Sequence, residues 1–304
     1  MYDTLKLWLP SEVIKESSFI DRVPKLLNNS TLHTRPDAQS YVTGNILGMN
    51  VSVSNNGISL KGSICKSYLG NNFKTLTRQD TQRAIEQLAD VTLLPVQEAN
   101  LTKIDFANNF IVSCTPESYY YFLGDCQHFD RIIYQRSIAY LNSLRYKTFY
   151  NKIAEGKSKG EVIPAIWANK HVLRYELRYT SRLLKQFNTT QIQAKDLYKE
   201  SFYIDMVSRW IKEYEAIKKN NLLTPKADNM TNKNANDYLL AVLIEMQGQN
   251  DVQEITSQWK GKFTNEREFY RFKAKLKTMK DLTQKSELIA ELDKKINQVK
   301  EYCR

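Results

Sequence analysis

The chain has 304 residues, 42% of them hydrophobic, enough for a real core in one large domain with an appendage or in two domains. Its 44 Lys and Arg against 33 Asp and Glu give a formal charge of +11 at pH 7, which favours a polyanionic partner: DNA, RNA or an acidic membrane surface. The apolar runs, of which residues 239–244 are the best, are too short to span a membrane, and residues 1–6 lack the apolar core of a signal peptide. Cys65, Cys114, Cys126 and Cys303 form no C-x-x-C pair, so neither a zinc ribbon nor a disulfide framework is indicated, and a reducing cytoplasmic location is the simple reading.

Residues 2–9 alternate, with Leu5, Leu7 and Leu9 against Thr4, Lys6 and Trp8, and predict a half-buried first strand ended by Pro10. Residues 11–37 are mixed and broken by Pro24 and Pro36. Strands are expected at 41–47, 50–53 and 58–64, the last two joined by Asn55-Asn56-Gly57, whose residues tolerate positive φ. Ser63-Ile64-Cys65-Lys66 then leads to Gly70-Asn71-Asn72. This is either only a turn, or a turn beside a lysine that offers backbone N–H groups to phosphate. Residues 77–93 predict a helix capped by Thr77, with Asp80 in its first turn and Ala84, Ile85, Leu88 and Ala89 on its inner face. Residues 101–107 predict a buried strand with Lys103 and Asp105 on one face and Ile104 and Phe106 on the other. A mid-strand carboxylate is costly to bury without a cation, so Asp105 is a candidate metal ligand or the ion-pair partner of Lys103.

Thr115-Pro116-Glu117 opens a short aromatic helix over 119–123, stopped at Gly124. Residues 134–140 and 144–153 predict two adjacent strands joined by Asn142-Ser143. In the second, Tyr150 and Lys152 at spacing two share a face, with Thr148 beside them. A phenol next to a fixed cation has the chemistry of a nucleophile for a phosphodiester, because the cation favours phenolate and offsets phosphorane charge. The same Y-x-K pattern also occurs in ordinary strands. Tyr146 keeps the same face about 13 Å away along a strand, and is read as a packing or base-stacking residue. The segment 155–161, with Gly156 and Gly160, is expected to be an exposed, flexible loop. Residues 171–179 alternate strictly, with Arg174, Glu176 and Arg178 on one face and Leu173, Tyr175 and Leu177 on the other. That face is either a solvated ladder of ion pairs or a phosphate and metal site.

From about residue 184 the pattern is helical, with helices expected at 201–219, 237–246, 264–280 and 285–301 and a polar loop with Pro225 at 221–236. Residues 258–280 carry eight Lys or Arg against Glu266 and Glu268, which is either a DNA-backbone surface or a solvated basic face. There is no P-loop, G-x-S-x-G or H-E-x-x-H motif, and His33, His128 and His171 make no H-x-H pair. The remaining chemistry is a tyrosine strand and two acid strands that one sheet can carry. Two carboxylates, Asp105 and Glu176, suffice to hold one Mg²⁺ or Mn²⁺ with waters and substrate phosphate.

The order of these segments resembles the replication initiators of filamentous phages, the gene II protein family, and related rolling-circle plasmid initiators. The resemblance rests on residues 2–10, on 62–66 through 70–72, on Lys103-Ile104-Asp105, on Phe149-Tyr150-Asn151-Lys152 through Glu155, and on residues 173–178. It implies an α+β fold, an antiparallel-rich nuclease-like sheet with flanking helices over 1–185, followed by a helical C-terminal region over 186–304. It also implies a site-specific, metal-dependent nickase that forms a phosphotyrosyl intermediate and rejoins strands. The family tyrosine falls on Tyr150, with Lys152 beside it, and the acidic strand residues fall on Asp105 and Glu176. Lys103 stands where the family often has Arg. Lys66, Asn71, Asn72, Arg174 and Arg178 are the expected DNA contacts. The expected partners are double- and single-stranded origin DNA together with host helicase and polymerase, with no membrane. The competing expectations are a non-catalytic origin-binding or copy-control protein and an RNA-binding protein with aromatic strands.

Overall fold

The computed structural model describes residues 1–36, 40–220, 231–247, 249–279 and 286–302. Alternating sequence produces a ten-stranded sheet from β1 (Tyr2–Pro10), β2 (Asn28–Thr34), β3 (Ser40–Ile46), β4 (Met49–Ser54), β5 (Gly57–Ser63), β6 (Asn100–Val112), β7 (Asp130–Tyr134), β8 (Ser137–Leu141), β9 (Arg145–Asn151) and β10 (His171–Tyr179). The spatial order is β2-β3-β4-β5-β1-β6-β10-β9-β8-β7, and the neighbouring strands pair antiparallel. With flanking helices and a helical C-terminal region, the fold class is α+β. No described helix is long and apolar enough to cross a membrane.

The period of two puts one face of this sheet in the core. Leu5, Leu7 and Leu9 of β1, Ile104 and Phe106 of β6, and Leu173, Tyr175 and Leu177 of β10 are all fully buried. The helix Glu200–Glu215 lays Tyr203, Met206, Val207, Trp210, Ile211 and Tyr214 on that face at helical spacing. Tyr175 meets Trp210 at 4.6 Å between ring centroids and donates its hydroxyl to the Trp210 carbonyl at 3.2 Å, and Phe149 stacks on Tyr175 at 4.4 Å. Ring pairs of this kind add about 0.5–1.5 kcal/mol each beyond burial, so the Tyr175–Trp210 contact helps hold the helix on the sheet. At the other end the helix Phe19–Leu26 packs on β3 and β4. Gly44 permits that approach, since a Cβ there would stand 2.7 Å from the Leu27 Cβ.

Contacts divide the chain into two compact units, Met1–Tyr120 with Asp125–Ile217 and Lys294–Arg304, and Tyr121–Gly124 with Lys218–Asp293. In the second, the helices Asn232–Gln247 and Glu266–Thr278 bury Ala241, Ile244, Leu276 and Met279 together. Several cations of the basic segment are engaged there: Lys275 pairs with Asp237, Arg271 with Glu268 at 2.8 Å, and Lys260 with Glu266 at 2.9 Å. The part of the expected polar loop at 221–230 and the helix stop at Gly248 lie outside the described residues.

The strands at 2–9 and 171–179 and the helix over 77–93 form as expected, the last with a full capping box between Thr77 and Asp80. Several segments differ. The single strand expected at 134–140 is a hairpin, β7 and β8, turned at Gln135-Arg136 with Tyr134 opposite Ser137; neither turn residue is the Gly or Asn that signals such a turn. The strand expected over 144–153 stops at Asn151, whose side chain accepts from the Ala154 N–H and caps a helix, Lys152–Ser158. That helix takes up half of the loop expected over 155–161, with Gly156 buried. The aromatic helix expected over 119–123 is only Glu117–Tyr120.

Candidate catalytic site

Opposite the aromatic core, the register assembles a second, polar face. Tyr146, Thr148 and Tyr150 of β9 stand beside Arg178, Glu176 and Arg174 of β10, and Arg178 stands beside Asp105 of β6. A β-bulge brings in one more acid. Tyr2 and Leu5 of β1 both face the core opposite Phe106 and Ile104, so the extra residue between them turns Asp3 onto the polar face.

Arg174 is the centre of this face and is 1% exposed. Its guanidinium donates to Asp3 Oδ2 at 2.5 Å, to Asn109 Oδ1 at 3.1 Å, to the Asn72 carbonyl at 3.2 Å and, through Nε, to Glu176 Oε2 at 3.4 Å. Asp3 also accepts from Ser63 Oγ at 2.5 Å and from Asn72 Nδ2 at 3.4 Å. Burial raises the Asp3 pKa, but Arg174, Ser63 and Asn72 outweigh it and hold the carboxyl below its ordinary value. Burial likewise works against the charge on Arg174, and the surrounding Tyr150, Asp3 and Glu176 more than restore it.

Tyr150 donates its hydroxyl to Glu176 Oε2 at 3.1 Å. Burial first, and then Glu176, Glu155 and Asp3, push its pKa well above the ordinary phenol value, against the pull of Arg174. At rest it is a neutral phenol aimed at a carboxylate. This corrects the expectation of a phenolate favoured by Lys152. Lys152 begins a helix instead of continuing the strand, is fully buried, and gives its ammonium to Glu155 Oε2 at 2.6 Å and Glu161 Oε2 at 3.4 Å. The cation that acts on the phenol is Arg174. A cavity of about 330 Å³ is lined by Tyr146, Thr148, Tyr150, Arg136, Lys159 and Arg178 among others.

The expected DNA contacts separate into two groups. Asn72 and Arg174 are buried in the network, Asn72 with its carbonyl and Nδ2 engaged and its Oδ1 without a partner among the described residues, and Asn71 Oδ1 accepts from the Phe73 N–H at 3.0 Å, so these three shape the site from within. Arg178 is on the rim with 38% of its side chain exposed, and Lys66, equally exposed, pairs with Glu161.

Asp105 and Glu176 are brought together through Arg178, whose Nε lies 2.6 Å from Glu176 Oε1 and 3.7 Å from Asp105 Oδ2. Lys103 is 3.6 Å from Asp105 Oδ1, and that oxygen is buried with no hydrogen-bond partner. Burial, then Glu176, push the Asp105 pKa up to about 7 against Lys103 and Arg178. An orphaned carboxylate oxygen next to a second carboxylate is a donor set that fits a hard divalent cation. Among the described residues no group of three or more His, Cys, Asp or Glu stands as a metal cluster, so the protein would supply these two ligands and leave the other positions to water and phosphate.

The Asp105 shift has a measurable consequence. Its folded pKa of about 7 lies above the ordinary 3.8, so between these values the folded state binds more protons than the unfolded state. Stability from this group is therefore present at low pH and is lost as pH rises through about 7. In a chelating buffer, the denaturation midpoint of wild type is expected to fall from pH 5 to pH 8 relative to that of Asp105→Asn. Parallel profiles for the two proteins would refute the assignment.

Asp3, Ser63, Asn109, Glu155 and Glu161 complete the network and were missed in the sequence. Asp3 shares the parity of Leu5, Leu7 and Leu9, and nothing in the sequence marks the bulge that reverses it. Glu155 and Glu161 fall in the expected loop, although the spacing of Glu155 three residues after Lys152 is a helical ion-pair signal.

Compared with known proteins, residues 1–213 match the family model that describes the N-terminal region of the replication-associated gene II protein. The matched region contains all ten strands of the sheet and nearly all of the helix Glu200–Glu215. No curated protein matches the chain.

Proposed function

The chain belongs to the family of the replication-associated gene II protein, and from that premise we propose that it initiates rolling-circle replication of a phage or plasmid by nicking one strand of its origin through Tyr150. The observation that carries this reading is the hydrogen bond from the Tyr150 hydroxyl to Glu176 Oε2, an oxygen that also accepts from Arg174 Nε. Nucleophile, base and orienting group are then hydrogen-bonded to one another, the arrangement that activates a weak nucleophile.

In the proposed step the Tyr150 oxygen attacks the scissile phosphorus while its proton passes to Glu176. The bond from phosphorus to the 3′-oxygen breaks, that oxygen takes a proton from water as Glu176 returns the tyrosine proton to solvent, and the 5′-phosphate remains on the tyrosine. Attack by a 3′-hydroxyl reverses the step and rejoins strands. Arg178, on the rim, would exchange its contacts with Glu176 and Asp105 for the phosphate oxygens, and Arg174 keeps Glu176 oriented. Asp105 and Glu176 would hold Mg²⁺ or Mn²⁺, which when bound supplies Lewis-acid polarisation of the phosphate. The ten-stranded sheet is on this reading a nuclease scaffold, with origin DNA as the partner and host helicase and polymerase acting downstream.

The test is to incubate the protein with supercoiled origin DNA and Mg²⁺ or Mn²⁺, digest, and map the DNA-linked peptide by mass spectrometry. The adduct is expected on Tyr150. An adduct on Tyr146, or nicking with no covalent intermediate, sinks the proposal. Chelation is expected to abolish nicking, and Asp105→Asn to raise the metal concentration needed to restore it. Full activity in chelator would remove the metal from the mechanism.

A further inference from the structure

The polar face does not end at Asp105. Lys103 of β6 stands opposite Lys6 of β1, Lys6 opposite Lys61 of β5, and Trp8 opposite Ser59. Beyond them Ser59 pairs with Ser52 of β4, Ser54 with Tyr41 of β3, and Tyr41 with His33 of β2. Side chains opposite one another share a face, so one surface runs from Tyr150 to the far edge of the sheet.

The far part of that surface is a cavity of about 600 Å³, and Lys6, Trp8, Arg35 and Tyr41 are among its lining residues, with no acid among the described residues that line it. Lys6, Arg35 and Lys61 are exposed, and Trp8, Tyr41 and His33 are half-buried. His33 stacks on Tyr41 at 4.8 Å and 17°, and the Arg35 guanidinium lies over the same ring at 5.2 Å. Cations alone would suit any nucleic-acid backbone. Accessible rings beside them suit unpaired bases, because bases in a duplex are already stacked on each other.

We propose that this face binds single-stranded DNA, with bases stacking on Trp8 and Tyr41 and phosphates following Arg35, Lys61, Lys6 and Lys103 toward Arg178. Asn100, the partner of Trp8, and Asn109, the partner of Arg174, stand near opposite ends of β6, so Trp8 lies roughly 30 Å from Tyr150 by strand rise and spacing. A strand of several nucleotides bridges that span. The inference rests on the nicking reading for the place where the strand meets Tyr150, and on the sheet face alone for the stacking.

Fluorescence anisotropy with an oligothymidylate of about 16 nucleotides, a matched oligouridylate and a duplex tests it. Trp8→Ala combined with Tyr41→Ala is expected to weaken oligothymidylate binding at least about tenfold and duplex binding far less. Lys6→Ala with Lys61→Ala is expected to flatten the salt dependence by about 0.7 in log–log slope for each phosphate no longer neutralised. Circular dichroism and the denaturation midpoint verify that the variants are folded. Equal losses on single strand and duplex, wild-type binding by the Trp8/Tyr41 variant, or preference for oligouridylate each overturn the proposal. None of these results bears on whether Tyr150 forms the covalent link, so the two readings fail separately.

Discussion

Tyr150→Phe is expected to lower nicking of supercoiled origin DNA by at least about 10⁴-fold, the scale of loss when a nucleophile is removed and only binding and electrostatic stabilisation remain. The substitution removes one oxygen and one hydrogen bond, to Glu176 Oε2. The carboxylate keeps Arg174 and Arg178, so folding and DNA binding should change little. Gel assay of nicked circles, with anisotropy on the same preparation, separates chemistry from binding. The stereochemical logic also predicts that Tyr146→Phe nicks far better than Tyr150→Phe, since the Tyr146 ring lies against the Arg178 guanidinium at 5.2 Å, a packing contact rather than an activated hydroxyl. A Tyr150→Phe protein that nicks like wild type would falsify the assignment.

The largest effect on stability is expected at Arg174. Arg174→Met keeps much of the volume but leaves Asp3 and Glu176 buried, 7% and 2% exposed, without their shared cation. Breaking a buried ion pair from one side costs about 3–5 kcal/mol, because a charge stays in the interior unpaired. The urea midpoint should fall accordingly. Asp3→Asn in the Arg174→Met background should recover part of the loss, as a coupled pair does in a double-mutant cycle. Arg174→Lys should rescue poorly, since one ammonium cannot reproduce a fork that reaches Asp3, Asn109, Glu176 and the Asn72 carbonyl together. A loss below about 1 kcal/mol for Arg174→Met would mean that the network is not what holds this face.

Strands of strict alternation were readable with their faces. In residues 171–179 the split between Arg174, Glu176, Arg178 and Leu173, Tyr175, Leu177 is the split found in β10. The pairing of Lys103 with Asp105 on one face was equally direct. What misled was local ambiguity at element ends. Residues 152–153 suit a strand by composition, and the Asn151 side chain that caps the following helix decides otherwise. The difference matters chemically, because it takes Lys152 from the phenol to Glu155 and Glu161.

The amino-acid sequence thus determined which residues carry charge on a sheet face, since side-chain alternation is a property of the backbone itself. It also placed the tyrosine and the two acids on strands. Only the tertiary structure decided which of them meet. The strand order puts β10 between β6 and β9, and so sets Glu176 between Asp105 and Tyr150. One bulge in β1 delivers Asp3 to Arg174, and burial of that pair turns an exposed-looking arginine into the centre of the site. Register and strand order depend on contacts far apart in the chain, which no local pattern of residues encodes.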